Sequence, residues 1–155
     1  MPRRDLYHDT VRNALIKDGR TIADDPLVLG ERDLTVFADL GAEKTILAQR
    51  NTEKIAVEIK VFGTASDITE LQKAIGQYGL YRYLLTCEEP DRKIYLAIPK
   101  RAYTSLTSKA QVKGWLQHEQ IDLIVFDPNT EALQWIDSWL RALHKYICPE
   151  AANEG

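Results

Sequence analysis

Cysteine is nearly absent from the 155 residues: Cys87 and Cys148 are too few and too far apart for a metal cage or a disulfide framework. Ordinary thiols in a reducing compartment are the expectation. No run approaches the roughly 18 consecutive apolar residues of a membrane span. The polar opening Met1-Pro2-Arg3-Arg4-Asp5 lacks the apolar stretch of a secretory signal. A cytoplasmic protein with no membrane contact is expected. A basic excess is also missing, because 20 Lys and Arg against 23 Asp and Glu leave a net charge of -3. That argues against a tight, stand-alone DNA-binding protein, since phosphate contacts are normally met by surplus cations. It argues less against a nuclease, whose metal-holding carboxylates subtract from the total while Arg3, Arg4, Arg12, Lys44, Lys73 and Arg82 can still meet a backbone. No P-loop, Rossmann glycine fingerprint, G-x-S-x-G or H-E-x-x-H is present, and there is no repeat or low-complexity linker.

With 45% hydrophobic and 28% charged residues, the chain suits one domain with a sizeable core over residues 1–147, followed by a polar tail at 148–155. Tyr7, Val11, Ala14 and Leu15 follow helical spacing from Asp5 to Lys17, and Asp18-Gly19 ends that helix. Short strands are expected at Leu27–Leu29 and Leu34–Phe37. Two further strands, Thr45–Gln49 and Lys54–Phe62, flank the polar turn Arg50-Asn51-Thr52-Glu53. Asp67-Ile68-Thr69-Glu70 reads as a capping box opening a long helix, with Ile68, Leu71, Ile75, Tyr78 and Leu85 on one side and Pro90 beyond its end. Then follow a strand at Lys93–Ile98 closed by Pro99, a helix at Tyr103–His118 weakened by Gly114, and a strand at Ile121–Phe126. Asp127-Pro128-Asn129 reads as a turn, Ala132–Ile136 as an edge strand and Ser138–Tyr146 as a last helix.

Chemistry concentrates in Ala56-Val57-Glu58-Ile59-Lys60. Side chains alternate along a strand, so Glu58 and Lys60 share one face while Val57, Ile59 and Val61 line the other. A solvated polar face is the ordinary reason for such a pair. The functional reason is a metal-dependent phosphodiesterase site: the carboxylate holds a divalent cation and the amine steadies the attacking water or the charge developing on phosphorus.

The element order and these residues resemble the PD-(D/E)XK, or restriction endonuclease-like, nuclease superfamily. That resemblance implies an α/β fold with an αβββαβ core and a mixed central sheet flanked by helices. It also implies that an acid precedes the E-x-K and binds magnesium with it. Here the E-x-K is Glu58-Ile59-Lys60 and the leading acid is matched by Asp39, or by Glu43 if the chain lacks a bulge at Gly41-Ala42. The proline that often precedes the acid is absent. Folding about Asn51 and Thr52 would set residues near 46 opposite Glu58. Gln77-Tyr78-Gly79-Leu80-Tyr81 is similar to the Q-x-x-x-Y pattern of RecB-like members. Gln77 and Tyr81 would share a helical face with Lys73, there to bind phosphate oxygens or orient carboxylates. RecB-like members also draw a metal-binding histidine from the first helix, matched by His8, with Asp5 and Asp9 as alternatives; neutral imidazole is a competent ligand.

A narrower likeness covers nearly the whole chain. Arg4-Asp5-Leu6-Tyr7-His8-Asp9, Asn13 to Gly19, Asp39 to Lys44, Ile55 to Lys60 and Leu123-Ile124-Val125-Phe126-Asp127 resemble the XisH family, proteins similar to the fdxN element excision controlling factor. This resemblance implies an accessory role in programmed DNA excision, acting on DNA with a small XisI-type partner and a separate recombinase. It does not imply turnover: a catalytically silent regulatory or DNA-binding module is the alternative. On the nuclease reading, Mg2+ (or Mn2+ in its place) is held by Asp39, Glu58, the Ile59 carbonyl and His8. Lys60 serves the attacking water, and Gln77 and Tyr81 orient the substrate. A homodimer would let both strands be cut. A third reading makes Trp115, Trp135 and Trp139 a docking surface, although core anchoring is the commoner use of such residues.

Overall fold

The computed structural model describes residues 3–23, 45–62 and 67–137. Its first helix, α1 (Arg3–Lys17), stops because Gly19 takes a left-handed backbone with φ of 84°. The Gly19 N–H then donates to the Ile16 carbonyl at 3.0 Å and the Arg20 N–H to the Leu15 carbonyl at 3.1 Å. These paired bonds satisfy the last helical carbonyls and turn the chain sharply. The sequence leads directly into β1 (Thr21–Ala23), a strand too short to announce itself by alternation.

The next described elements are β2 (Thr45–Arg50) and β3 (Glu53–Ile59). Asn51, at φ 55°, supplies the left-handed residue of the turn between them, a conformation that asparagine tolerates better than most. Arg50 stands opposite Glu53, and Thr45, one place from the expected position 46, stands opposite Glu58. Helix α2 (Asp67–Glu88) follows, with Leu71, Ala74, Tyr78, Tyr81, Leu84 and Leu85 buried along one side. Asp67 and Glu70 lie in its first turn, where negative charge suits the helix dipole. Strand β4 (Arg92–Pro99), helices α3 (Lys100–Thr107) and α4 (Ala110–His118), and strands β5 (Leu123–Phe126) and β6 (Leu133–Ile136) complete the described chain.

The strands form a six-stranded mixed sheet in the order β1-β2-β3-β4-β5-β6 among the described residues. β1–β2, β2–β3 and β5–β6 are antiparallel, whereas β3–β4 and β4–β5 are parallel. The parallel pairs need crossover connections, which α2 and the α3–α4 pair provide. One sheet face, with Ala56, Ile94, Leu96, Ile98, Leu123 and Val125, packs with α2, α3 and α4. The other, with Ile55, Val57, Ile59, Ala97, Ile124 and Phe126, packs with Val11 and Leu15 of α1. The fold is therefore mixed α/β with helices on both sides of the sheet.

Most element boundaries fall within one or two residues of the sequence expectation, and two regions differ more. The region read as one helix from Tyr103 to His118 is two, and the first begins at Lys100, directly after Pro99. The break lies at Lys109, whose extended backbone (φ −95°, ψ 117°) ends one helix and starts the next, while Thr107 donates to the Tyr103 carbonyl at 2.6 Å and Ser108 to the Ser105 carbonyl at 2.7 Å in the turn before it. Gly114 lies inside α4 and interrupts nothing. The strand expected to reach Phe62 ends at Ile59, although the Lys60 N–H still donates to the Ala97 carbonyl at 2.9 Å. The strands at Leu27–Leu29 and Leu34–Phe37 and the helix at Ser138–Tyr146 lie outside the described residues.

Candidate functional site

Alternation along β3 turns Ile55, Val57 and Ile59 toward α1 and Ala56 toward α2, so Glu58 belongs to the α2 side. It is 5% exposed and lies between Thr45 of β2 and Leu96 of β4. Beyond the strand end, the Lys60 ammonium meets the Glu70 carboxylate of α2 at 2.7 Å, with the two side chains 15% and 17% exposed. The other Glu70 oxygen is 3.9 Å from the Lys73 ammonium, on a side chain that is largely in water.

From deeper in α2 comes Tyr81, which is buried. Its phenol pKa is pushed up to about 12, first by burial and then by the negative charge of Glu58. Tyr81 therefore lies within the field of Glu58. Gln77, one helical turn before it, is half-buried. The structure thus sets Tyr81 within the electrostatic reach of Glu58, with Lys60 two residues beyond Glu58 at the end of the strand. They sit near the carboxyl end of a parallel strand, where ligands gather in open α/β sheets. A cleft of about 230 Å³, lined by Phe62, Asp67, Arg101, Ala102 and Ser105, opens among the residues that follow Lys60 and begin α2 and α3.

Glu70 was not anticipated as part of this group. Its place in the capping-box pattern offered a local explanation that hid its long-range partner. The available signal was the row Glu70, Ala74, Gln77, Tyr81, spaced as one face of a helix.

Asp39 and Glu43 fall outside the described residues. Ile59 is the last residue of β3. His8 and Asp9 belong to α1, with His8 Nδ1 3.8 Å from Asp9 Oδ1; Asp5 belongs to the same helix. No group of three His, Cys, Asp or Glu side chains placed to hold a metal ion occurs among the described residues. Glu58 therefore offers one hard, buried oxygen ligand of the kind Mg2+ accepts, and Glu70 is engaged by Lys60. Trp115 packs against the α2-side core, while Trp135 packs on the α1 side, edge-on to Tyr95 at 5.0 Å. Trp139 lies outside the described residues. No described helix is long and apolar enough to cross a membrane.

Comparison with known proteins points one way. No curated protein matches the chain. The chain is similar to a solved XisH family protein from Nostoc punctiforme PCC 73102, with 34% identity, a TM-score of 0.75, and coverage of 85% of this chain and 99% of that one. It is also similar to a solved FdxN element excision controlling factor protein from Anabaena variabilis, with 36% identity, a TM-score of 0.76, and coverage of 86% and 99%. The family model described as XisH protein matches residues 1–134. With that match spanning most of the sequence and both structures agreeing over nearly their whole lengths, the chain belongs to the XisH family.

Proposed function

We propose that this protein is an excision controlling factor acting on DNA, with a metal-dependent phosphodiesterase site of the restriction endonuclease-like kind at the end of β3. The observation that carries this reading is the buried Glu58 carboxylate with Tyr81 in its field and, two residues on, the Lys60 ammonium paired with Glu70 of α2. Mg2+, or Mn2+ in its place, would be held by Glu58, with Asp39 (or Glu43), the Ile59 carbonyl and His8 (or Asp5 or Asp9) as the further ligands the resemblance implies. Such an ion makes a bound water nucleophilic near neutral pH and offsets charge on the phosphate.

The chain's own groups do the rest. Lys60 places a positive charge where the phosphodiester gains negative charge, or orients the water. Tyr81 keeps its proton at neutral pH, because its pKa is about 12, and donates a hydrogen bond to a phosphate oxygen or a carboxylate. Gln77, one turn earlier, orients the substrate with an amide that both donates and accepts. A XisI-type protein and a recombinase are the expected partners, and a homodimer would present two such sites to opposite strands.

The test is cleavage of linear, circular and branched DNA with Mg2+ or Mn2+ by the parent protein, Glu58→Ala and Lys60→Ala. Each variant should lose roughly 100-fold or more in rate while keeping a cooperative melt. Equal cleavage by parent and variants would remove the assignment. A parent that binds DNA without cutting it would instead establish the silent regulatory module.

A further inference from the structure

We propose that Glu70 is the positioning residue for Lys60: the first turn of α2 fixes the amine that serves the reacting phosphate. This inference rests on the phosphodiesterase reading above and extends the site from one strand to the helix behind it.

Lysine carries its charge on four flexible methylenes, so an amine at a strand end has no fixed location of its own. Here it has one, because Lys60 Nζ lies 2.7 Å from Glu70 Oε2. Side chains only 15% and 17% exposed exclude most of the water that would weaken this contact. A charge-assisted hydrogen bond of that length is among the stronger polar contacts available to a protein. The competing cation does not displace Lys60: Lys73 approaches the other Glu70 oxygen only to 3.9 Å, from a side chain 65% exposed.

The partner is also well held. Glu70 lies three residues after Asp67 at the helix start, where a carboxylate suits the dipole. The helix itself is anchored by Leu71 and Ala74, both buried, in the turn that follows Glu70. On the strand side, the Lys60 N–H is bonded to the Ala97 carbonyl at 2.9 Å, so both ends of the lysine are restrained.

The alternative position for the amine explains why the restraint matters. Glu58 precedes Lys60 by two residues on the same side of β3, within the span of a lysine side chain. An amine released from Glu70 would turn to that carboxylate. Glu70 thus keeps the ammonium and the cation-binding acid as two separate groups.

Glu70→Gln preserves size and removes the charge, and Glu70→Asp preserves the charge on a shorter stem. Single-turnover cleavage of duplex DNA with Mg2+ should fall about 10- to 100-fold in Glu70→Gln, the loss expected for one charge-assisted contact. Duplex binding measured in EDTA should stay within about threefold of the parent, because removing a carboxylate does not weaken attraction for phosphate. Glu70→Asp should recover a substantial part of the rate, since the charge and not the packing carries the effect. Cleavage by Glu70→Gln at the parent rate overturns the inference, as does a rate loss matched by an equal loss of binding, or Glu70→Asp no faster than Glu70→Gln. A parent inactive with both Mg2+ and Mn2+ defeats the phosphodiesterase reading itself, and this inference with it. A cleaving parent with an unaffected Glu70→Gln defeats the inference alone.

Discussion

Removing a single oxygen from Tyr78 should destabilise the protein by about 2–4 kcal/mol. The Tyr78 side chain is fully buried, and its hydroxyl donates to the Ile94 carbonyl at 3.2 Å while accepting from the Asp122 N–H at 3.1 Å. β4 and β5 pair regularly from Leu96 and Leu123 onward. The phenol therefore bridges two main-chain groups just ahead of that ladder and ties α2 to both strands. In Tyr78→Phe a buried donor and a buried acceptor each lose a partner, at about 1–3 kcal/mol apiece. A water entering the vacated space would recover part of the roughly 2–6 kcal/mol sum, which brings the upper end down to about 4. For a domain of this size the corresponding fall in Tm is about 4–16 °C. Urea denaturation of the parent, Tyr78→Phe and the exposed control Tyr83→Phe checks it, because Tyr83 is 65% exposed. A Tyr78→Phe free energy within 0.5 kcal/mol of the control (roughly the scatter of surface substitutions) would show that the bridge carries no weight. It would also remove the reason for treating the α2 side chains as rigidly placed over β3.

Alkaline titration addresses Tyr81: its pKa is raised from 10.0 to about 12 in the folded protein, so the unfolded chain ionises first. The associated stability is full below pH 10 and is lost as pH rises toward 12. Tyr95 acts in the same direction, its phenol pushed up by burial and by its hydrogen bond to Asp137. Phenolate absorbance, with Tyr81→Phe to assign the signal, should show the Tyr81 value falling in Glu58→Gln; no change would separate the two residues. Arg20, with a side chain only 3% exposed, bonds Glu53 at 3.0 Å and lies 4.7 Å over the Trp135 ring. Arg20→Met should cost about 1–3 kcal/mol, less than a wholly buried pair, because the abandoned Asp18 and Glu53 carboxylates are partly exposed and rehydrate. Equal urea midpoints for Arg20→Met and the parent would contradict this.

Local pattern made the strand-and-turn part of the fold legible. Alternation in Ile55 to Ile59 and a polar turn at Asn51-Thr52 sufficed to set Glu58 on a buried face within one residue of its observed register. The 3.6-residue rhythm of Leu71, Tyr78 and Leu85 likewise marked the buried side of α2. What escaped were features governed by a partner in another element or by the backbone of one residue. β1 has three residues and acquires its strand character from β2. The division between α3 and α4 lies at Lys109, a single extended residue that apolar periodicity does not register. Glu70 matched a capping pattern, and only the folded chain reveals its contact with Lys60, ten residues earlier. The expected Asp39 ligand falls outside the described residues, so the site is legible from the Glu58 side alone.

The connection joining β3 to β4 has a consequence for synthesis. β2 and β3 close on a tight turn and can associate as soon as both have left the ribosome, whereas β4 must wait for the 22 residues of α2. A growing chain therefore displays Glu58 and Lys60 before it owns either Glu70 or Tyr81. On the phosphodiesterase reading proposed above, competence would arrive only when the crossover seats itself, and products truncated before α2 should leave DNA uncut.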